Sequence, residues 1–248
     1  MSGKSSTEIN NEPVIGILTL PLSNWLGDNI SLDSRRAKSY LPAAYVRWIE
    51  NSGARVVPIQ YTATAPIIKS YLAQINGVII CGDISPINYA SMDKDTKIDM
   101  EVIRWAKAEF TIYQWAKKQN NMGNYFPLLG IGMGYEELMF MTLMPKYYIK
   151  LTTSKSAMDF SSEEVPSDEM TKAADTYAAT PFKLTDTPGI FGKDLIEKDN
   201  KLFSSKPVCY TTPGWALNGK GNKVEKMKEF VEINSFARNK KLKTNYIN

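Results

Sequence analysis

Three glycines at alternate positions, Gly130, Gly132 and Gly134, mark the place where this chain could set a side chain to do chemistry. Around the first of them, Leu128, Leu129 and Ile131 predict a short strand buried on both faces. After them, Tyr135 to Met144 predicts a helix with Leu138, Met141 and Met144 on one side. A strand that turns sharply on glycine into a helix is the geometry of a nucleophile elbow. Such a turn holds one residue at strained backbone angles and aims its side chain into a pocket. The residue at that point is Gly132, which has no side chain to aim. The partners of such chemistry are also scarce. The 248 residues include no His, which removes the usual general base and the commonest transition-metal ligand. Two cysteines, Cys81 and Cys209, make no disulfide framework. They are expected as buried free thiols, with a disulfide between them left open. Two separated Cys without His do not form a zinc site, so neither a metal nor a cofactor is expected.

The elements that position the elbow follow from periodicity. Val14 to Thr19 is an apolar run fit for a first buried strand. Tyr40 to Ser52 predicts a helix with Leu41, Ala44, Tyr45, Trp48 and Ile49 on its inner face, ended by Gly53. Arg55 to Ile59 is the second strand, Pro66 to Gln74 a shorter helix, and Ile75 to Ile80 leads into a third strand. Between Asp93 and Asn120 lies the longest helix, with Ile98, Val102, Trp105, Ala108, Ile112 and Trp115 at intervals of three and four. The chain then enters the central strand and the elbow. Strand and helix alternating from residue 13 to 144 imply parallel pairing with right-handed crossovers. In such sheets ligands bind beyond the carboxyl ends of the strands, where the elbow lies.

From Gly130 to Leu138 the chain reads Gly-Ile-Gly-Met-Gly-Tyr-Glu-Glu-Leu. This closely resembles the elbow of the gamma-glutamyl hydrolases, Gly-Thr-Cys-Leu-Gly-Phe-Glu-Glu-Leu, with Gly132 in the place of the nucleophilic Cys. Pro13-Val14-Ile15-Gly16-Ile17-Leu18 is similar to the family's Pro-Ile-Ile-Gly-Ile-Leu, and Ala43 to Pro58 is very similar to its next helix and strand. The resemblance implies a class I glutamine amidotransferase-like fold: α/β, a three-layer αβα sandwich with a mostly parallel central sheet. It spans residues 13 to 144 strongly and 207 to 238 weakly. It also implies oxyanion-hole-like positions at Gly82, Asp83 and Met133. The family's Pro-Gly-Gly loop is here Cys81-Gly82-Asp83. If Asp83 points into the pocket, its charge opposes a developing oxyanion; otherwise it is a surface residue in a turn. The family's Pro-Val-Tyr-Gly-Val-Gln-Trp-His-Pro-Glu carries its catalytic His and a Glu two residues later. Aligned on the second proline of Pro207 to Gly214, Thr212 stands at the His position and Gly214 at the Glu position.

Three functions remain. The first is a catalytically silent relative of the hydrolases, retained as a structural or interaction subunit of a larger protein assembly. The second is a non-catalytic binder of a gamma-glutamyl or folate-like small molecule. The third is a residual hydrolase with displaced residues, for instance Cys209 with a carboxylate. The formal charge of +4 is mild, and no dense Lys/Arg cluster with interleaved aromatics precedes the C-terminal end, so nucleic acid is not implied. No apolar run approaches the roughly 20 residues that span a bilayer.

The domain reading is a polar tail 1–12, one domain 13–238 and a basic, solvated tail 239–248. Residues 1–12 lack the apolar stretch of a secretory signal, and the triplet Asn29-Ile30-Ser31 is discounted as a glycosylation site. An intracellular location is therefore expected, with cytoplasm, cilium and mitochondrion left open. The polar tract Thr152 to Thr176 reads as a solvated insertion or a partner-bound loop, and Thr180 to Phe191 as turns. Val224 to Arg238 reads as a last amphipathic helix.

Overall fold

The structure, a computed structural model, describes residues 10–22, 39–82, 97–98, 100–143, 145–153 and 158–159, and seven strands between 170 and 247. The sheet that carries the elbow has four parallel strands: β1 (Val14–Leu18), β2 (Arg55–Ile59), β3 (Gly77–Gly82) and β4 (Leu128–Gly132), in the order β2-β1-β3-β4. Helices separate them in sequence: α1 (Ala43–Asn51), α2 (Ala65–Leu72) and α3 (Met100–Asn121). After β4 come α4 (Met133–Leu143) and α5 (Pro145–Thr153). This mostly parallel sheet flanked by helices is the α/β architecture expected for a class I glutamine amidotransferase-like fold.

Each strand is locked by groups just outside it. Asn76 accepts the Val14 N–H on Oδ1 at 2.9 Å and donates its own N–H to the Val14 carbonyl at 2.8 Å, which sets β1 against the start of β3. Asn120 does the same work before the elbow. Its amide donates to the carbonyls of Ala116 and Phe126 at 2.9 and 2.8 Å, and its Oδ1 accepts the Phe126 N–H at 2.9 Å. The chain leaving α3 therefore reaches β4 through a bonded loop. Gly53, at φ +87°, ends α1 by turning its N–H back to the Glu50 carbonyl, a backbone angle that favours glycine.

Ile17, Leu18, Ile59, Ile68, Leu72, Ile80, Trp105, Ile112, Phe140 and Met141 are buried and make up much of the core. Each contributes about 2 kcal/mol of transfer free energy before chain entropy is charged against it. Two expected inner faces are corrected. Trp48 is 52% exposed and Ala44 is also exposed, because only the Ile49 side of α1 is covered and Trp48 stands about 100° round the helix from it. Trp105 is core as expected, whereas Trp115 is half-buried. The elbow strand is not central among the described residues. β4 ends the four-stranded order, and Leu129 is 42% exposed rather than buried.

The chain divides into two compact units: Met1–Pro86 with Ile98–Met141 and Tyr148–Met158, and Ile87–Lys97 with Thr142–Tyr147 and Asp159–Asn248. The division runs inside the span 13–238. Described strands of the second unit all pair antiparallel. Ala178–Thr180 pairs with Cys209–Thr211, Met170–Lys172 with Trp215–Leu217, and Ser235–Asn239 with both Phe182–Leu184 and Thr244–Ile247. Three sequence expectations are corrected here. Ser235 to Arg238 belongs to a strand, not to the end of a helix; it pairs with Phe182–Leu184 some fifty residues earlier and with Thr244–Ile247 just after it, and helical spacing registers neither. The tail from 239 contains a paired strand. Within 152–176 and 180–191, Met170–Lys172 and Phe182–Leu184 are strands rather than loop or turn.

One core group is out of character. Glu109, on α3, is fully buried, and among the described residues neither carboxyl oxygen has a hydrogen-bond partner. Burial, and secondarily the nearby charge of the equally buried Glu137 of α4, raise its pKa well above its ordinary value of 4.5. A raised folded-state pKa means the native chain holds the extra proton. The contribution of Glu109 is then full below its unfolded pKa, and is lost as pH rises through the folded value. We expect wild-type stability in urea to fall across that window while Glu109→Gln flattens the slope and is more stable at neutral pH. Parallel slopes for the two chains would contradict this account.

Candidate functional site

The elbow is built by close approach. Gly130 stands in β4 where an added β-carbon would lie 2.6 Å from the Gly134 carbonyl oxygen and from Tyr135 Cα. At Gly134, the second residue of α4, it would lie 2.1 Å from the Ile80 carbonyl oxygen. Both contacts are with backbone, which has no rotamer to yield. The two outer glycines therefore let α4 fold back directly over β4 and β3. Gly132 is different in kind. It has φ +60°, the left-handed conformation of an elbow residue, and an added β-carbon would meet only the Gly82 carbonyl oxygen at 3.8 Å. The position is exposed and has room for a side chain.

Three of the residues assigned to the site from sequence come together. Gly132 is the last residue of β4 and pairs in register with Gly82, the last residue of β3, and Met133 opens α4. All three sit at the carboxyl ends of adjacent parallel strands. Asp83, Thr212 and Gly214 lie outside the described residues. Cys81 is fully buried in β3, opposite Ile131, with Sγ 4.0 Å from the Leu18 carbonyl oxygen. Cys209 lies on a strand of the second unit. Among the described residues no group of three His, Cys, Asp or Glu is placed to hold a metal ion, and no helix is long and apolar enough to cross a membrane.

The Peptidase C26 profile matches residues 13–181. The chain belongs to the Peptidase C26 family. The family match takes in β1 to β4, the elbow and the helices that carry it. Among curated relatives, gamma-glutamyl hydrolase B of Dictyostelium discoideum is 36% identical over 131 residues, 53% of this chain and 33% of that protein. Gamma-glutamyl hydrolase 1 of Arabidopsis thaliana is 32% identical over 52% of this chain and 32% of its own length. The gamma-glutamyl hydrolase of Homo sapiens is 28% identical over 51% and 34%. The chain thus matches about a third of the length of these relatives.

Sequence reasoning missed the carboxyl pair Glu109 and Glu137. Glu137 had appeared only as a letter of the elbow motif, and Glu109 stands between two core positions of an otherwise regular helix. The signal that could have found Glu109 is its phase. It lies four residues after Trp105 and three before Ile112, on the apolar face.

The two kinds of glycine predict opposite tolerances. Gly134→Ala forces a β-carbon into the Ile80 carbonyl and should cost about 3 kcal/mol or prevent folding. Gly132→Cys meets no atom closer than 3.8 Å and should cost only the left-handed penalty, about 1–2 kcal/mol. Urea unfolding of the two variants checks this, and an equal or reversed order would refute the geometric account of the elbow.

Proposed function

We propose that this chain is a catalytically silent member of the Peptidase C26 family, serving as an interaction subunit of a larger protein assembly. The observation that carries the first half is Gly132. An elbow that keeps its strained backbone and both flanking glycines presents no nucleophile at its tip. Attack on a gamma-glutamyl amide needs a thiolate or alkoxide at that tip, and a base to take its proton. The chain has no His to act as that base. Removing a nucleophile or a base costs on the order of 10⁴–10⁶ in rate, and losses within one catalytic unit are not additive. Restoring one member should therefore recover nothing.

Wild-type chain and Gly132→Cys should both leave gamma-linked glutamyl peptides intact in an assay where an active relative turns over. An unactivated thiol with an ordinary pKa of about 8.5 is mostly protonated at neutral pH. Turnover by the wild-type chain would support a hydrolase with displaced residues, and turnover by Gly132→Cys would show that a base survives.

The second half rests on what the chain keeps. The core is intact, while large side chains including Trp48, Ile67 and Tyr125 stay exposed at 52%, 48% and 87%. A subunit without turnover needs side chains of this kind as contact points for its partners, and these three are the candidates we single out. Native purification of the tagged full chain should bring stoichiometric protein partners that survive gel filtration. A monomeric profile under the same conditions would remove this half of the reading.

A further inference from the structure

Seven large apolar side chains stand exposed among the described residues, and three of them, Met122, Tyr125 and Leu129, fall within eight residues of chain. They belong to the turn that leaves α3 and to the start of β4, all in the first compact unit. A single exposed apolar residue is ordinary on a protein surface. A concentration of them marks a contact surface. Tyr125 is 87% exposed, so its ring adds almost nothing to the core.

The turn holds these side chains without slack. The Met122 N–H is shared between the carbonyls of Lys118 and Gln119 at 3.2 and 3.0 Å. Gly123 and Asn124 donate their N–H groups to the carbonyls of Asn120 and Gln119, each at 3.0 Å. The Asn124 side-chain amide donates to Gln119 Oε1 at 3.0 Å. Gly123 takes φ +82°, an angle that glycine adopts freely. Beyond Tyr125, Phe126 is tied to Asn120 through both its N–H and its carbonyl. Tyr125 is therefore flanked on both sides by bonded backbone. An aromatic side chain presented in this way needs little further ordering to bind, as interface anchors require.

The charge around the turn has one sign. From Phe110 to Tyr135 the chain carries Lys117 and Lys118 and no Asp or Glu. Both lysines are exposed, and Lys118 stands one turn before Met122 on α3. A lysine at a helix carboxyl end commonly serves the open carbonyls there. Here the carbonyls of Lys118, Gln119 and Asn120 are already taken by the turn. Neither lysine forms an ion pair among the described residues. Lys117 lies 6.0 Å from the centre of the Tyr113 ring, a contact that leaves its charge in place.

That charge selects the occupant. A second copy docked turn to turn would bring both lysine pairs together, with no carboxylate in the stretch to offset them. Two lysines are also fewer than the roughly four to eight that mark an anionic lipid surface. We propose that this turn is the docking point for an acidic, apolar segment of another protein, with Tyr125 and Met122 as anchors and Lys117 and Lys118 at the rim. This docking point deepens the subunit reading above and rests on it.

The test places a photoreactive benzophenone side chain at position 125 of the tagged full chain in its native cells, with exposed position 69 on α2 as the control. Irradiation should join position 125, and not 69, to one partner protein. The joined peptide should hold more Asp and Glu than Lys and Arg, with apolar residues among them. A synthetic peptide of that sequence, titrated by fluorescence anisotropy, should bind wild type at least about tenfold more tightly than Met122→Ala with Tyr125→Ala. Lys117→Gln with Lys118→Gln should slow association and flatten its dependence on salt. All four positions are exposed, so both double variants should melt with wild type. Cross-links to lipid, to a second copy, to a basic segment or to nothing overturn the docking point. So do equal cross-linking at position 69 and a peptide that binds all variants as it binds wild type. If stoichiometric partners still co-purify in those cases, the subunit reading stands and this surface alone is wrong. If the chain purifies alone, both fall.

Discussion

The structure depends on one close approach. The second residue of α4 sits so near the Ile80 carbonyl that no β-carbon fits between them. That contact brings the start of a helix down onto the third strand of the sheet. It forces the chain to reverse over a few residues at Gly132 and places the turn at the carboxyl end of β4. The bonded loop through Asn120 and Phe126 delivers β4 into register with β3, and the Asn76 bonds hold β3 against β1. Loosening Gly134 would change the direction in which α4 leaves the sheet, and with it the position of every group around the elbow.

The parts of this fold that could be read from the sequence are those whose signal is local. The run Val14 to Leu18, the three-and-four spacing of Val102, Trp105 and Ile112, and the glycine triplet each announce an element within a dozen residues. Parallel order followed from alternation, because strands joined by helices have few other ways to pair. What stayed hidden depends on remote partners. Nothing near Phe236 says that it pairs with Lys183, and helical spacing over 224–238 pointed the other way. Likewise Trp48 looked inward by spacing alone. How wide a helix stripe is covered depends on what packs against it, which the helix itself does not encode. Of the site, the glycine scaffold was legible and the empty tip was visible at once.

The buried carboxyl pair shows a different kind of tension. A charged side chain in a dry core is destabilising unless it is paired or neutralised. Glu109 is held at the neutral end by burial and by Glu137. Two acids that share a desolvated space behave as one titrating unit, so the proton belongs to the pair rather than to either residue. Trp105, whose Nε1 has no hydrogen-bond partner among the described residues, lies one turn before Glu109 on the same helix. The face of α3 that carries Trp105 and Ile112 thus keeps polar atoms in a place where apolar ones would be cheaper in free energy.

The elbow meets a comparable tension with glycine. A residue with a side chain at φ +60° carries strain of about 1–2 kcal/mol, which an active enzyme tolerates because the side chain must point into the pocket. Glycine carries no such cost. At Gly132 there is space for a side chain and the backbone adopts the left-handed angle, with a residue that meets this angle without strain. Gly130 and Gly134 let the backbone pack closely on either side of this residue, where a β-carbon would clash. Glycine is the residue that satisfies this angle at lowest energy. The shape of the turn is therefore set by backbone packing on either side of position 132 and not by the side chain carried there.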